Sequence, residues 1–263
     1  MIQQLTRTRR TVVALAVAGL SLGSLAGLPA EAQDATPEGM MAVSCSEVLG
    51  VGAAGDACVN IVHASPDAPA VDIYVDGAAA VENLAFGTAT GWVALPAGEH
   101  QVQVTPTGEA ADAAVIDATV DLMADMAYEV AAIGTVAEIT AAIFPVDLAV
   151  SEDMANAAVR VIHASPDAPA VDVAVAGGDV LVENLAFPDA TEYLMVPAGT
   201  YDLEVRPTGT TDVALDLPGV ELAGGNAYSV YAIGTLADGT LTVLPVVAGA
   251  PMGAATPEAT PSA

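Results

Sequence analysis

Apolar and polar residues alternate along short runs through most of the chain, and Gly, Pro and Asp break the runs at intervals of about 8–12 residues. Val71, Ile73 and Val75 alternate with Asp72, Tyr74 and Asp76, the period of a strand with one buried and one wet face. Val102 and Val104 against Gln101 and Gln103 repeat the pattern. In the first half it predicts strands over 59–64, 71–75, 91–95, 100–105, 114–120, 128–134 and 139–146. Pro96-Ala97-Gly98 supplies a glycine suited to positive φ, so a hairpin is expected between 91–95 and 100–105. Helical periodicity is not sustained anywhere after the N-terminal thirty or so residues. About seven antiparallel strands in some 90 residues describe an immunoglobulin-like β-sandwich.

The pattern then repeats. HASPDAPAVD stands at 63–72 and again, letter for letter, at 163–172. VENLAF at 81–86 returns at 182–187, LPAG at 95–98 as VPAG at 196–199, PTG at 106–108 as 207–209, and AIGT at 132–135 as 232–235. The offset moves from 100 to 101 and back. One residue is gained near Gly177-Gly178 and one is lost after Gly209, in turn-like sequence where length changes cost little. The fold class expected is therefore all-β, two tandem immunoglobulin-like sandwiches over 58–148 and 158–248. The junction near Ser151-Glu152-Asp153-Met154 is short enough for the two to pack together.

These words also carry a resemblance. VRVIHASPDAPAVDV, VENLAF, VPAGTYDLEVRPTG and AYSVYAIG resemble the DUF4397 domain family of bacterial secreted and cell-surface proteins, over both units. The resemblance implies a β-sandwich module, often in tandem, outside the cell, and no established activity.

The N-terminus points to the same address. Arg7, Arg9 and Arg10 precede an apolar or small stretch over 11–28, and Ala30-Glu31-Ala32 has the small-x-small form that signal peptidase accepts. Residues 1–32 are expected to be a signal peptide, cut before Gln33, so that no membrane span remains. Thr8-Arg9-Arg10-Thr11 leaves Sec and twin-arginine export both open. Residues 33–57 form an N-terminal extension, and 251–263, with Thr-Pro-Glu-Ala-Thr-Pro, read as a disordered tail.

Charge narrows the partners. The whole chain carries a net charge of −28 with five basic residues, all arginine. Cleavage would leave Arg160 and Arg206 against 32 acidic side chains, a net charge of −30. Such a surface repels phosphate backbones and anionic lipid, which excludes nucleic acid as a partner. Apolar residues make up 54% of the chain, enough for packed cores rather than disorder. Cys45 and Cys58 are its two cysteines. An even count in an exported protein predicts one disulfide, closing a short loop and tying the extension to the first strand. Spacing and the lack of clustered His argue against a metal or redox pair, and Cys45 lies too far from the apolar core for a lipid anchor.

His63, Ser65 and Asp67, with Asp72, and their twins His163, Ser165, Asp167 and Asp172 are the candidate chemistry. A hydrolase needs the imidazole between nucleophile and carboxylate beside an oxyanion site. Three residues within five positions at a strand end rarely meet that need, and no G-x-S-x-G elbow follows the leader. Calcium held by Asp67, Asp72 and nearby carbonyls is a second reading, with His63 better suited to zinc. No dedicated Asp-x-Asp-x-Asp-Gly loop is present. A third reading is structural: Val59, Ile61 and His63 share a strand face, the ring bonds to the following turn, Pro66 and Pro69 force the reversal, and Asp67 caps it. Trp92 and its counterpart Tyr193, with Tyr74 and Tyr201, offer rings for sugar stacking, although core packing explains them as well. Gly177-Gly178 and Gly224-Gly225 are turn residues without phosphate-loop context. The expectation is a non-catalytic module of the extracellular space or cell envelope, with no cofactor and an unidentified ligand or envelope partner. A calcium-dependent binder and a His-Ala-Ser hydrolase are its alternatives.

Overall fold

A computed structural model of the chain describes residues 44–148 and 154–248. The expected signal peptide, the first part of the extension, most of the junction and the tail lie outside the described residues.

The first repeat begins with a one-turn helix, α1 (Cys45–Leu49), followed by β1 (Asp56–His63), β2 (Val71–Val75), β3 (Ala78–Leu84), β4 (Thr88–Pro96), β5 (Gly98–Pro106), β6 (Ile116–Leu122), β7 (Ala127–Ile133) and β8 (Thr140–Val146). The second runs β9 (Asn156–His163), β10 (Val171–Val175), β11 (Val180–Leu185), β12 (Leu194–Pro197), β13 (Gly199–Pro207), β14 (Leu215–Leu222), β15 (Ala227–Ile233) and β16 (Thr242–Ala248). Each repeat is a pair of four-stranded sheets. The first has orders β4-β1-β7-β8 and β3-β2-β5-β6, and the second β12-β9-β15-β16 and β11-β10-β13-β14. Val59, Ile61, Val71, Ile73, Val104, Ile116 and Val130 close the first core between its sheets. Val171, Val173, Val182, Leu185 and Val205 do so in the second. The expected all-β pair of sandwiches is what forms.

Three features refine the sequence reading. An eighth strand, β3, was not expected. Its residues are mostly exposed and lack alternation, so they carry no burial signal. What places it is the Asp76-Gly77 turn, both residues at positive φ (52° and 77°), the left-handed pair that closes a two-residue hairpin. The Pro96-Ala97-Gly98 turn does not make the expected hairpin. β4 pairs with β1 and β5 with β2 and β6, so the chain changes sheet there, with Gly98 at φ 133°. Pairing is antiparallel except that β1 and β7, and likewise β9 and β15, run parallel. The chain enters β7 from the opposite sheet and need not reverse beside β1.

The length changes also fall in place. The gained residue extends the β10–β11 turn around Gly177 and Gly178. The net loss after Gly209 resolves into two residues missing before β14 and one regained within it: Leu203 pairs with Leu217 but Tyr201 with Val220, whereas Val102 and His100 face Ala118 and Val120 without a shift. A bulge at Pro218-Gly219 absorbs the extra residue.

The outer face of the β4-β1-β7-β8 sheet is not wet. Val62, Ala64, Ala131 and Ile133 pack against Ile162, Ala164, Tyr231 and Ile233 of the second repeat. Equivalent positions enter the same cluster (62 and 162, 64 and 164, 131 and 231, 133 and 233), as in a two-fold interface. This is why β1 is buried along seven of its eight residues and shows no alternation. Cys45 and Cys58 form the expected disulfide, Cα atoms 6.0 Å apart. Around it, Ser44 donates to Asp125 at 2.7 Å, Gly55 N–H donates to the same carboxylate at 2.9 Å, and Cys45 N–H donates to the Asp125 carbonyl.

Candidate functional site

The duplicated decapeptide runs from the end of β1 into β2, and from β9 into β10. His63 is fully buried, as expected from its place on the inward face. Its Nε2 lies 3.0 Å from the Pro69 carbonyl, and its Nδ1 lies 3.4 Å from the Ser65 N–H. That pair of partners fits a neutral ring protonated on Nε2. Burial holds its pKa below the usual value, against the opposite pull of the Pro69 carbonyl. His163 repeats the bond, 3.1 Å to Pro169. Phe86 and Phe187, from the repeated VENLAF words, stand edge-on to the two imidazoles at 6.1 and 6.3 Å.

Neither serine turns its hydroxyl to the ring. Ser65 donates to the Gly134 carbonyl at 2.7 Å, and Ser165 to Gly234 at 2.8 Å. Ser165 also lies 3.4 Å from Asp167. Both serines are buried. Asp67 accepts the Val136 N–H at 2.8 Å. Asp167 accepts Leu236 and Ala237 N–H, both at 2.8 Å. Desolvation pushes the Asp167 carboxyl up, but these two backbone donors together leave it below the usual value.

Asp72 was expected on the wet face, yet it is 7% exposed. It accepts Asn83 N–H at 2.7 Å and Gly108 N–H at 2.8 Å. Asp172 accepts Asn184 N–H, Gly209 N–H and the Thr208 hydroxyl. The backbone donors Gly108 and then Asn83 hold Asp72 below the carboxylate norm, and Asn184 and then Gly209 do the same for Asp172. Asn83 and Asn184 sit at positive φ (58° and 53°), where Asn is tolerated better than branched residues. The VENLAF asparagine therefore shapes the bend that presents its N–H.

The repeated words thus bind one another. HASPDAPAVD reaches VENLAF and PTG through Asp72, and AIGT with the residue after it through Ser65 and Asp67. LPAG is tied separately, where His100 Nε2 lies 2.7 Å from the Pro96 carbonyl and Tyr201 donates to Pro197 at 2.7 Å. The family model for a domain of unknown function, DUF4397, matches the chain over residues 57–174 and 157–256. The chain belongs to this family. No curated protein matches the chain. Among the solved structures to which this DUF4397 chain is loosely similar are three that follow. The C-terminal domain of AlgF from P. aeruginosa is 21% identical, with 36% of this chain and 99% of that one covered, at TM-score 0.29. The Bacillus anthracis TIE protein is 10% identical, with 69% and 34% covered, at 0.23. A family CBM26 module of Eubacterium rectale Amy13K, solved with maltoheptaose, is 13% identical, with 72% and 95% covered, at 0.24. At these scores none carries an argument about ligand.

Two sites escaped the sequence reading. The first lies where the DUF4397 repeats meet. Arg160 donates to Glu129 at 3.2 Å, Ser229 at 2.9 Å and the Pro145 carbonyl at 2.8 Å, and Tyr231 donates to Glu129 at 2.7 Å. The guanidinium stacks over Tyr193 and Phe144, 4.9 and 5.6 Å from their centroids. Glu129 is fully buried. Desolvation raises its pKa, and the Arg160 charge opposes that rise. Asn60 and Ser229 occupy the equivalent positions in the other repeat, so aligning the repeats shows where a neutral and a charged residue were exchanged. Trp92, partly buried, donates to the Val247 carbonyl at 3.4 Å. With Tyr193 it belongs to this interface and is not a free platform for sugar. The second site is His100, whose Nδ1 is 2.7 Å from Asp76.

Proposed function

We propose that this chain is a non-catalytic module working outside the cytoplasm, a pair of acidic β-sandwiches with a structural, adhesive or ligand-binding role. The observation that carries the reading is that the duplicated motif turns its polar groups to the backbone around it, with the buried His163 Nδ1 left without a partner. Each serine hydroxyl is spent on a backbone carbonyl, each imidazole faces a proline carbonyl, and Asp67, Asp72 and their twins accept backbone N–H groups. A nucleophile needs its proton directed to a base, and here it is directed elsewhere. A calcium site needs carboxylate oxygens aimed at a common point, and these are aimed at amides. The disulfide supports an oxidising compartment, and the net charge of −28 speaks against nucleic acid. Among the described residues, no helix is long and apolar enough to cross a membrane.

The test is turnover of an ester and peptide panel by the wild type and by His63→Ala/His163→Ala, with thermal melts in parallel. No turnover by either protein, together with a lowered melting temperature in the variant, is expected. Turnover that the double substitution abolishes at unchanged melting temperature would establish the hydrolase instead. A calcium-dependent rise in melting temperature, lost in Asp67→Asn/Asp167→Asn, would establish the calcium binder.

A further inference from the structure

The two sandwiches differ inside. Between the sheets of the second lies a cavity of about 70 Å³, against about 20 Å³ in the first. Its walls present no polar surface, the hydroxyl of the lining Tyr201 being given to the Pro197 carbonyl, so water gains no partner there and the space is of the kind that stays dry and accepts hydrocarbon. Part of the difference is read directly from the repeats. Val161, Val173 and Val196 line the cavity where the first repeat has Ile61, Ile73 and Leu95, one methylene larger at each. Leu203, Leu217 and Val243 run the other way, larger than Val102, Ala118 and Ala141. The larger cavity therefore also reflects how far the sheets part.

The second sandwich also differs along one edge. β12 has four residues where β4 has nine, and ahead of it the chain keeps only a single bridge to β9, between Ile162 and Ala190, with backbone bonds at Asp189 and Thr191. Leu181 on β11 and Leu194 on β12 line the cavity and are also 42% and 36% exposed. They stand both in the cavity wall and at the surface, which makes this edge the way in.

We propose that the second sandwich binds the end of an uncharged alkyl chain, inserted at the β11–β12 edge past Leu181 and Leu194 and seated against Val161, Val173 and Val196. The one hydroxyl of the lining, on Tyr201, is already given to the Pro197 carbonyl, so a charged head would be buried unpaired, which is costly. The acidic surface outside repels an anionic head, so the chain belongs to a neutral amphiphile rather than a fatty acid. This deepens the ligand-binding form of the proposed function, and that function's non-catalytic character stands or falls separately, on the turnover assay.

The experiment titrates n-butanol, n-hexanol and hexanoate into the intact two-domain protein with isotope-labelled Val and Leu methyls, read by NMR. Saturable shifts are expected at Val161, Val173 and Val196 and not at Val59, Val62 or Val71 of the first sandwich. Hexanol should bind at least about tenfold more tightly than hexanoate, a difference of about 1.4 kcal/mol. The variant Val161→Ile/Val173→Ile/Val196→Leu carries the first repeat's own side chains and should weaken hexanol about tenfold or more with the spectrum of the first sandwich unchanged. Val173→Ile alone serves if the triple variant unfolds, with a smaller loss in the same direction. Lining methyls that do not respond to any alkanol, shifts that filling leaves unchanged, or equal binding of hexanoate would each overturn the proposal.

Discussion

On the function proposed above, Ser65 serves the turn rather than a substrate, its proton being given to the Gly134 carbonyl at 2.7 Å. Ser65→Ala leaves the Gly134 carbonyl buried without its donor, a loss of about 1–3 kcal/mol, and Ser165→Ala is expected to cost the same. Chemical denaturation of the two variants checks both. His100 supplies a pH-dependent counterpart. Its hydrogen bond to Asp76, and after it the Pro96 carbonyl, raise its pKa above the usual 6.5. The folded protein thus holds that proton more tightly than the unfolded chain. The resulting stability is complete below 6.5 and is lost as pH rises through the raised value. The same bond, followed by the Gln101 N–H, lowers Asp76 from 3.8, so its contribution is present above 3.8 and lost as pH falls through the lowered value. His100→Tyr copies Tyr201, keeps a donor for Pro96 and removes the titration. Thermal melts between about pH 6 and 9 should fall with rising pH in the wild type and flatten in the variant. His63 works in the opposite sense in both proteins: burial lowers it from 6.5, so acidification below 6.5 costs stability.

At the scale of elements, the strands of the first repeat were legible apart from β3, and alternation marked those with one wet face most plainly. β2 and β5 face a core on one side and show it in their residues. β1 is buried along seven of its eight residues, Asn60 and His63 included, because both of its faces are covered, one by its own sandwich and one by the other repeat. β3 carries no burial pattern, and Asp76-Gly77 was its usable sign. Proline-glycine turns mark a change of direction but do not say whether the next strand returns to the same sheet, which is why Pro96-Ala97-Gly98 read as a hairpin. The disulfide was legible from count and compartment. Its loop spans 13 residues, and its loss in Cys45→Ala/Cys58→Ala should cost about 3 kcal/mol in the chain-entropy picture. Urea unfolding with and without reductant measures this, and reductant should leave the variant unaffected.

For the whole molecule, the Glu129–Arg160 contact decides how two copies of one module become one protein. Equivalent surfaces meet, but Asn60 and Ser229 face the interface where a symmetric pair would repeat the charges, so the joint is matched in one arrangement. Arg160→Met strands a buried carboxylate and is expected to destabilise by about 3–5 kcal/mol. Adding Glu129→Leu should recover most of that loss, because the pair's attraction largely offsets the desolvation of both ions. A double-mutant cycle by calorimetry reads the coupling. An equal loss in the double variant would show that packing of Arg160 between Phe144 and Tyr193, not its charge, holds the joint.

The amino-acid sequence by itself settled the duplication, the β class, the disulfide and the residues of the repeated words, because each is written in local period, spacing or count. It also singled out His63, Ser65, Asp67 and Asp72. Only the tertiary structure decided what those residues do, since their partners at 83, 108, 134 and 136 lie on other strands and turns. It alone revealed the parallel β1–β7 pair, the covered outer sheet, the buried ion pair and the gap inside the second sandwich. Each of these depends on which segments become neighbours in space, and local pattern carries no record of that.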